Sequence, residues 1–129
     1  MKPPVFLTLA EIIEIHNDQI ERYGGHKGVR DMGLLQSAIA QPEASFGGTF
    51  LHEGVFEMAS AYAFHVCQNH PFFDGNKRAA LAVALVFLEI NGISIIDPQQ
   101  KLLDAMLKMA SGQLNKKDFA KILQNLPQE

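Results

Sequence analysis

Apolar positions recur at helical spacing in six stretches of this chain, separated by glycine, proline and short polar runs. Thr8 and Glu11 have the spacing of a capping box, and Leu7 is placed to staple onto Ile12. Leu9, Ile12, Ile13, His16, Ile20 and Tyr23 then trace one helix face until Gly24 and Gly25 stop it. Asp31 is placed to cap a second, shorter helix carrying Leu34, Leu35, Ala38 and Ile39, which Pro42 ends. Residues 43–54 show neither a helical nor a strand period and contain Gly47 and Gly48, which predicts a loop or a short β-hairpin. Val55, Phe56, Ala59, Tyr62, Ala63, Val66 and Cys67 make a third helix. It ends near His70, because the residue before Pro71 is pushed out of the α region.

A fourth helix starts between Asp74 and Asn76 and runs to Ile90, with Asn91 and Gly92 as its stop. Its stretch 79–88 is apolar on every side, which predicts a buried central helix surrounded by others. Ten such residues are too few to cross a bilayer. Residues 93–96 read as an extended connection. Asp97, Pro98 at the first helical position and Gln100 start a fifth helix, with Leu102, Leu103, Met106, Leu107 and Ala110 on its buried side. After Ser111 and Gly112, Asn115 caps a sixth helix carrying Phe119, Ile122, Leu123 and Leu126, closed by Pro127. The expectation is one all-α domain over residues 1–129: about six helices around a buried central one, with a short flap or hairpin before the third.

Composition narrows the function more than the fold. A chain of 129 residues with 47% hydrophobic and 19% charged content is an ordinary globular domain able to bury its own core. The formal net charge of -3 and scattered lysines and arginines argue against a protein that neutralises phosphates along a duplex, so no direct nucleic-acid partner is expected. Cys67 is the only cysteine, which leaves no internal disulfide and fits a reducing compartment. The first residues carry no export signal pattern. A cytoplasmic location without membrane attachment is the expectation.

The chemistry concentrates in residues 70–78, His-Pro-Phe-Phe-Asp-Gly-Asn-Lys-Arg, where the third helix gives way to the fourth. Free N–H groups and the macrodipole at a helix start attract an anion. Gly75 permits close backbone approach, Asn76 adds a donor, and Lys77 and Arg78 add positive charge. Two cations in a first turn oppose the helix dipole, a cost that a bound anion offsets. Asp74 supplies a carboxylate of the kind that holds Mg²⁺ together with substrate phosphates. His70 can take a proton from a hydroxyl near neutral pH. Phe72 or Phe73 is expected to anchor the loop in the core. A single histidine before proline, or Asp-Gly-Asn alone, is ordinarily a structural turn. Their conjunction within nine residues at a buried helix start is what points to a nucleotide-phosphate site.

These nine residues resemble the motif of the Fic/Doc (Fido) family, specifically its death-on-curing branch. Weaker similarity extends through residues 15–25, 44–48 and 87–92. The resemblance implies a Fido fold, with His70 deprotonating a hydroxyl on a target protein, Asp74 holding Mg²⁺, and Gly75, Asn76 and Arg78 binding the phosphates of ATP. Lys77 stands where AMP-transferring members commonly have glycine. A long cation there fills the space open to β- and γ-phosphates and turns the nucleotide round to present its γ-phosphate. Gly75 departs from the branch, whose best-known form has alanine there, and matches the AMP-transferring members. The implied protein is the toxin of a toxin–antitoxin pair, transferring the γ-phosphate to a target such as elongation factor Tu and blocked by an antitoxin of Phd type. AMP transfer through the same site, or a non-catalytic nucleotide-binding interaction module, are the alternatives.

Three other features carry less. Gly24-Gly25-His26-Lys27-Gly28 lacks the preceding strand and the Lys-Ser/Thr ending of a phosphate loop and reads as a helix stop. Thr49, Glu53 and Gly54 match the self-inhibition pattern of some Fic proteins, but in a non-periodic stretch, so the match reads as coincidence. By the same resemblance residues 46–54 are expected to form a flap that aligns a target by strand addition. His65 and His70, five apart, fall on different helix faces and do not make a zinc pair.

Overall fold

A computed structural model describes residues 2–129, and the architecture is six helices and one two-stranded hairpin. Helix α1 spans Leu9–Tyr23, α2 Met32–Ala40, α3 Gly54–Asn69, α4 Asn76–Ile90, α5 Lys101–Ala110 and α6 Lys116–Asn125. Strands β1 (Ser45–Phe46) and β2 (Thr49–Phe50) form the antiparallel hairpin. The capping box forms as the spacing predicts: Thr8 Oγ1 accepts from the Glu11 N–H, and Glu11 Oε1 accepts from the Thr8 N–H. Asp31 and Asn115 likewise cap α2 and α6 through their side chains.

The centre of the molecule is a pair of helices. α4 packs along α3 and is flanked by α1 and α5, while α3 also touches α2, α5 and α6. Both present small buried residues, Ala59, Ala61 and Ala63 on α3 and Ala79, Ala80 and Ala84 on α4, which lets backbones approach closely. Tyr62, Phe87 and Leu88 fill the rest of the seam. Tyr62 is fully buried, its hydroxyl accepts the Leu7 N–H at 3.1 Å, and burial pushes its pKa up to about 12. Asn91 ties the chain start to the end of α4 by exchanging two hydrogen bonds with the Val5 backbone.

The fifth helix differs from expectation. It begins at Lys101 rather than at Pro98, because residues 98–99 form a turn and Gln100 takes a left-handed φ of 56°. Asp97 still acts as the cap, its two oxygens accepting from the N–H groups of Lys101 and Leu102. The buried face is Leu102, Ala105, Met106 and Met109, whereas Leu103 and Leu107 are 44% and 48% exposed. A later start rotates nothing; the amphipathic stripe is simply narrower than the apolar content, and two leucines are left over on the outside. Residues 94–96 are extended, as expected, and pair with the returning C-terminus through an Ile95–Gln128 bridge.

The uncertain stretch 43–54 resolves as a hairpin. Gly47 and Gly48 both have positive φ, 60° and 81°, which matches the twist of a two-residue turn. Both strands are exposed, and the Phe50 ring meets Phe6 edge-on at 5.6 Å.

Candidate functional site

The loop from His70 to Gly75 joins the two central helices, and nearly every backbone group in it is spoken for. His70 ends α3 with φ 50° and ψ 52°, a left-handed conformation that costs a non-glycine residue about 1–2 kcal/mol. Residues 28–31 run alongside the loop. The Pro71 carbonyl accepts from the N–H groups of Arg30 (2.7 Å) and Asp31 (3.0 Å), and the Phe73 N–H donates to the Gly28 carbonyl. The Arg30 guanidinium donates through Nε and Nη2 to the His70 carbonyl at 2.9 and 2.6 Å, and through Nη2 to the Asn69 carbonyl at 3.4 Å.

Phe72 is the anchor: fully buried, it stacks on the ring of His16 at 3.8 Å and 3°. His16, itself buried, donates from Nε2 to the Asp74 carbonyl at 2.8 Å. A carbonyl can only accept, so that nitrogen carries the proton. Burial holds the pKa of His16 below the ordinary imidazole value, against the opposing pull of the Asp74 carbonyl and carboxylate. The Asn76 side chain closes the loop from inside, its Oδ1 accepting from the Phe72 N–H and its Nδ2 donating to the Phe72 carbonyl. Asn76 is 5% exposed, so what it turns toward an anion is its backbone N–H rather than its amide.

Helix α4 starts without a side-chain cap. Gly75, with φ 70°, occupies the cap position, and a Cβ there would meet Ile20 Cδ1 at 3.0 Å. Asp74 faces solvent with its Oδ2 accepting from the His26 N–H and its Oδ1 from the Gly75 N–H. Those two backbone bonds, with the nearby Arg78, hold its carboxyl below the usual carboxylate range. Room for Asp74 depends on Gly25, where a Cβ would lie 2.6 Å from Asp74 Oδ2. Arg78 reaches back to α1: Nη2 donates to the Gly24 carbonyl at 3.0 Å, and the guanidinium lies 5.5 Å from the centroid of the Tyr23 ring.

One cleft of about 510 Å³ gathers these groups. His70, Asp74, Gly75, Asn76, Lys77 and Arg78 line it on the motif side, and Leu103, Leu107 and Ala110 of α5 line it opposite. The two leucines that α5 leaves outside the core are thus the apolar wall of this cleft. Cys67 of α3 also lines the cleft, and burial pushes its thiol pKa up while Lys77 opposes. The arrangement offers an anion the α4 N–H groups and two cations, with an imidazole and an ionised carboxylate at the rim.

The donor set also fits a divalent cation in one specific way. Among the described residues no group of three or more His, Cys, Asp or Glu side chains could hold a metal. Asp74 alone, ionised and solvent-facing, suits Mg²⁺ held jointly by one carboxylate and a ligand's phosphates.

The family model described as Fic/DOC family matches residues 6–88, a span that includes both this loop and its buttress at His16 and residues 25–31. The chain belongs to the Fic/DOC family. It is 33% identical over 116 residues to the "Protein kinase doc" of Escherichia phage P1, covering 90% of each chain. It is also 41% identical over 73 residues to the "Toxin Doc" of Mycolicibacterium smegmatis (strain ATCC 700084 / mc(2)155), covering 57% of this chain and 56% of that one. Within the Fic/DOC family the similarity is to the Doc, death-on-curing, branch. The six-helix architecture with its hairpin is the Fido fold that the motif implies.

Three residues that shape this Fic/DOC site escape a reading of the sequence. His16 sits on an apolar helix face and reads as one more core position; only the fold places it under Asp74. Arg30 and Gly25 precede the motif by some forty residues; Gly25 falls in the weaker similarity over residues 15–25 but reads there as a helix stop, and Arg30 carries no local signal. Glu53 of the self-inhibition match is the cap residue of α3 and is absent from the lining of the motif cleft.

Proposed function

We propose that this protein is a Doc-type toxin that transfers the γ-phosphate of ATP to a hydroxyl side chain of a target protein. The observation that carries this reading is the cleft itself: an uncapped helix start with Lys77 and Arg78 beside it, and His70 and Asp74 on the same rim. The kinase wording in the name of the phage P1 relative supports it. The phosphates of ATP bind to the backbone N–H groups of Asn76 and its successors and to the cations of Lys77 and Arg78, with Gly75 allowing close approach. The target hydroxyl oxygen attacks the γ-phosphorus in line, the bond to the β–γ bridging oxygen breaks, and ADP leaves. The hydroxyl proton passes to the His70 imidazole. Asp74 would hold Mg²⁺, which neutralises phosphate charge when bound.

Lys77 sets the direction of the nucleotide in this reading, since it occupies the cleft beside Cys67 where a smaller residue would leave room. Gly75, the motif position that departs from the branch and matches the AMP-transferring members, has a local reason in its positive φ and its fit against Ile20. Elongation factor Tu as the acceptor and an antitoxin of Phd type as the inhibitor complete the proposal. In the test, purified protein, Mg²⁺ and elongation factor Tu are incubated with ATP labelled at either the γ- or the α-phosphate. Label from the γ-position alone is expected on the acceptor; transfer of the α-label would establish AMP transfer instead. If neither label transfers but ATP binds, the site is a nucleotide-binding module.

A further inference from the structure

Resting on the phosphoryl-transfer reading above, we propose that Arg30 is a positioning residue: it holds His70 in the left-handed conformation from which its imidazole faces the cleft. Among the described residues the His70 side chain makes no hydrogen bond; the bonds to this residue fall on its backbone carbonyl. Its direction is set by the His70 backbone. That backbone has φ 50° and ψ 52°, a conformation that L residues leave unless their surroundings hold them there.

Arg30 supplies the hold. Its Nε and Nη2 converge on the His70 carbonyl at 2.9 and 2.6 Å, and Nη2 reaches the Asn69 carbonyl at 3.4 Å. These are carbonyls of the last turn of α3, where a cation is also favoured by the dipole. A planar fork fixes the plane of a carbonyl in a way that a single ammonium does not. The rest of the loop does not depend on this side chain. Pro71 is held by backbone N–H groups of Arg30 and Asp31, Phe72 by Asn76 and His16, and Asp74 by His26 and Gly75. Loss of the guanidinium therefore frees His70 and leaves the phosphate and metal groups of the helix start in place.

The test compares the full chain with Arg30→Met, which keeps the stem, and Arg30→Lys, which keeps the charge. With elongation factor Tu as acceptor and saturating ATP, Arg30→Met is expected to lower kcat about tenfold to a hundredfold, the scale of a misplaced reacting group. ATP affinity by calorimetry and the KM for the acceptor should stay within about twofold, and Arg30→Lys should recover part of the loss. The one-bond Cα–Hα coupling of His70, which reports the sign of φ, should lose its left-handed value in Arg30→Met. An unchanged kcat overturns the proposal, as does a fall in ATP affinity that matches the fall in kcat. If the unaltered chain transfers no phosphate, the enzymatic reading fails separately. The coupling then decides alone: a His70 that keeps positive φ without the guanidinium refutes the role of Arg30.

Discussion

Gly25 is a residue whose missing side chain does as much for the site as any side chain present. A methyl group there would press on Asp74 Oδ2 at 2.6 Å and would also demand a φ of 122° that alanine avoids. Gly25→Ala is expected to displace the Asp74 carboxylate and to raise the Mg²⁺ concentration needed for half-maximal transfer severalfold. A titration of activity against Mg²⁺ checks this. His16 supports the same residue from beneath, at its backbone carbonyl. His16→Ala removes the Phe72 stack and orphans the Asp74 carbonyl, at an expected cost on the order of 3 kcal/mol in urea unfolding. His70→Ala touches neither support: transfer should fall by a factor of about a hundred or more while ATP still binds calorimetrically.

Helix α5 illustrates how an element can face two ways. Its buried residues Leu102, Ala105, Met106 and Met109 join the core, while Leu103 and Leu107 face the cleft. Met106→Ala is expected to destabilise the fold by about 2–5 kcal/mol, whereas Leu107→Ser should stay within about 0.5 kcal/mol. Paired denaturation curves of the two variants test this assignment of faces. The hairpin is the opposite case, an element with almost no buried surface of its own. Its turn relies on positive φ at Gly47 and Gly48, so Gly47→Val is expected to disorder it. On the flap reading, the KM for the protein acceptor then rises while ATP affinity does not change.

Across the whole molecule, three partly or fully buried histidines outside the motif couple stability to pH. His16 and His52 are held below the ordinary imidazole pKa of 6.5, chiefly by burial, and His65 is pushed down to about 4 by burial, Lys116 and His52. A lowered pKa in the fold means that the unfolded chain binds protons that the folded chain refuses. Stability is therefore greatest above pH 6.5 and falls as pH drops toward 4, with His65 contributing over the widest span. Urea midpoints measured at pH 7.5, 6, 5 and 4 should decline in that order, and His65→Gln should flatten the decline. A pH-independent midpoint over this range would show that these imidazoles bind protons equally well in the folded and the unfolded chain.

Local pattern was enough for the six helices, their caps at Thr8, Asp31 and Asn115, and the nine-residue motif, because capping and amphipathic periodicity are decided by residues three or four apart. It was enough to expect one of Phe72 and Phe73 in the core, though only the fold shows that Phe72 is the buried one and Phe73 the exposed one, and it left a loop or a short hairpin open for residues 43–54. It overextended α5 at Pro98, where a left-handed Gln100 intervenes, and it assigned Leu103 and Leu107 to a core already filled by Ala105 and Met109. The tertiary structure alone decided what stands beneath and behind the motif. His16, Gly25 and Arg30 reach it from forty to sixty residues away, through contacts that exist only once α1 lies on α4 and residues 28–31 lie along the loop. Side-chain type and spacing carry information along the chain over a helical turn or two; which carbonyl a distant guanidinium meets is settled by packing.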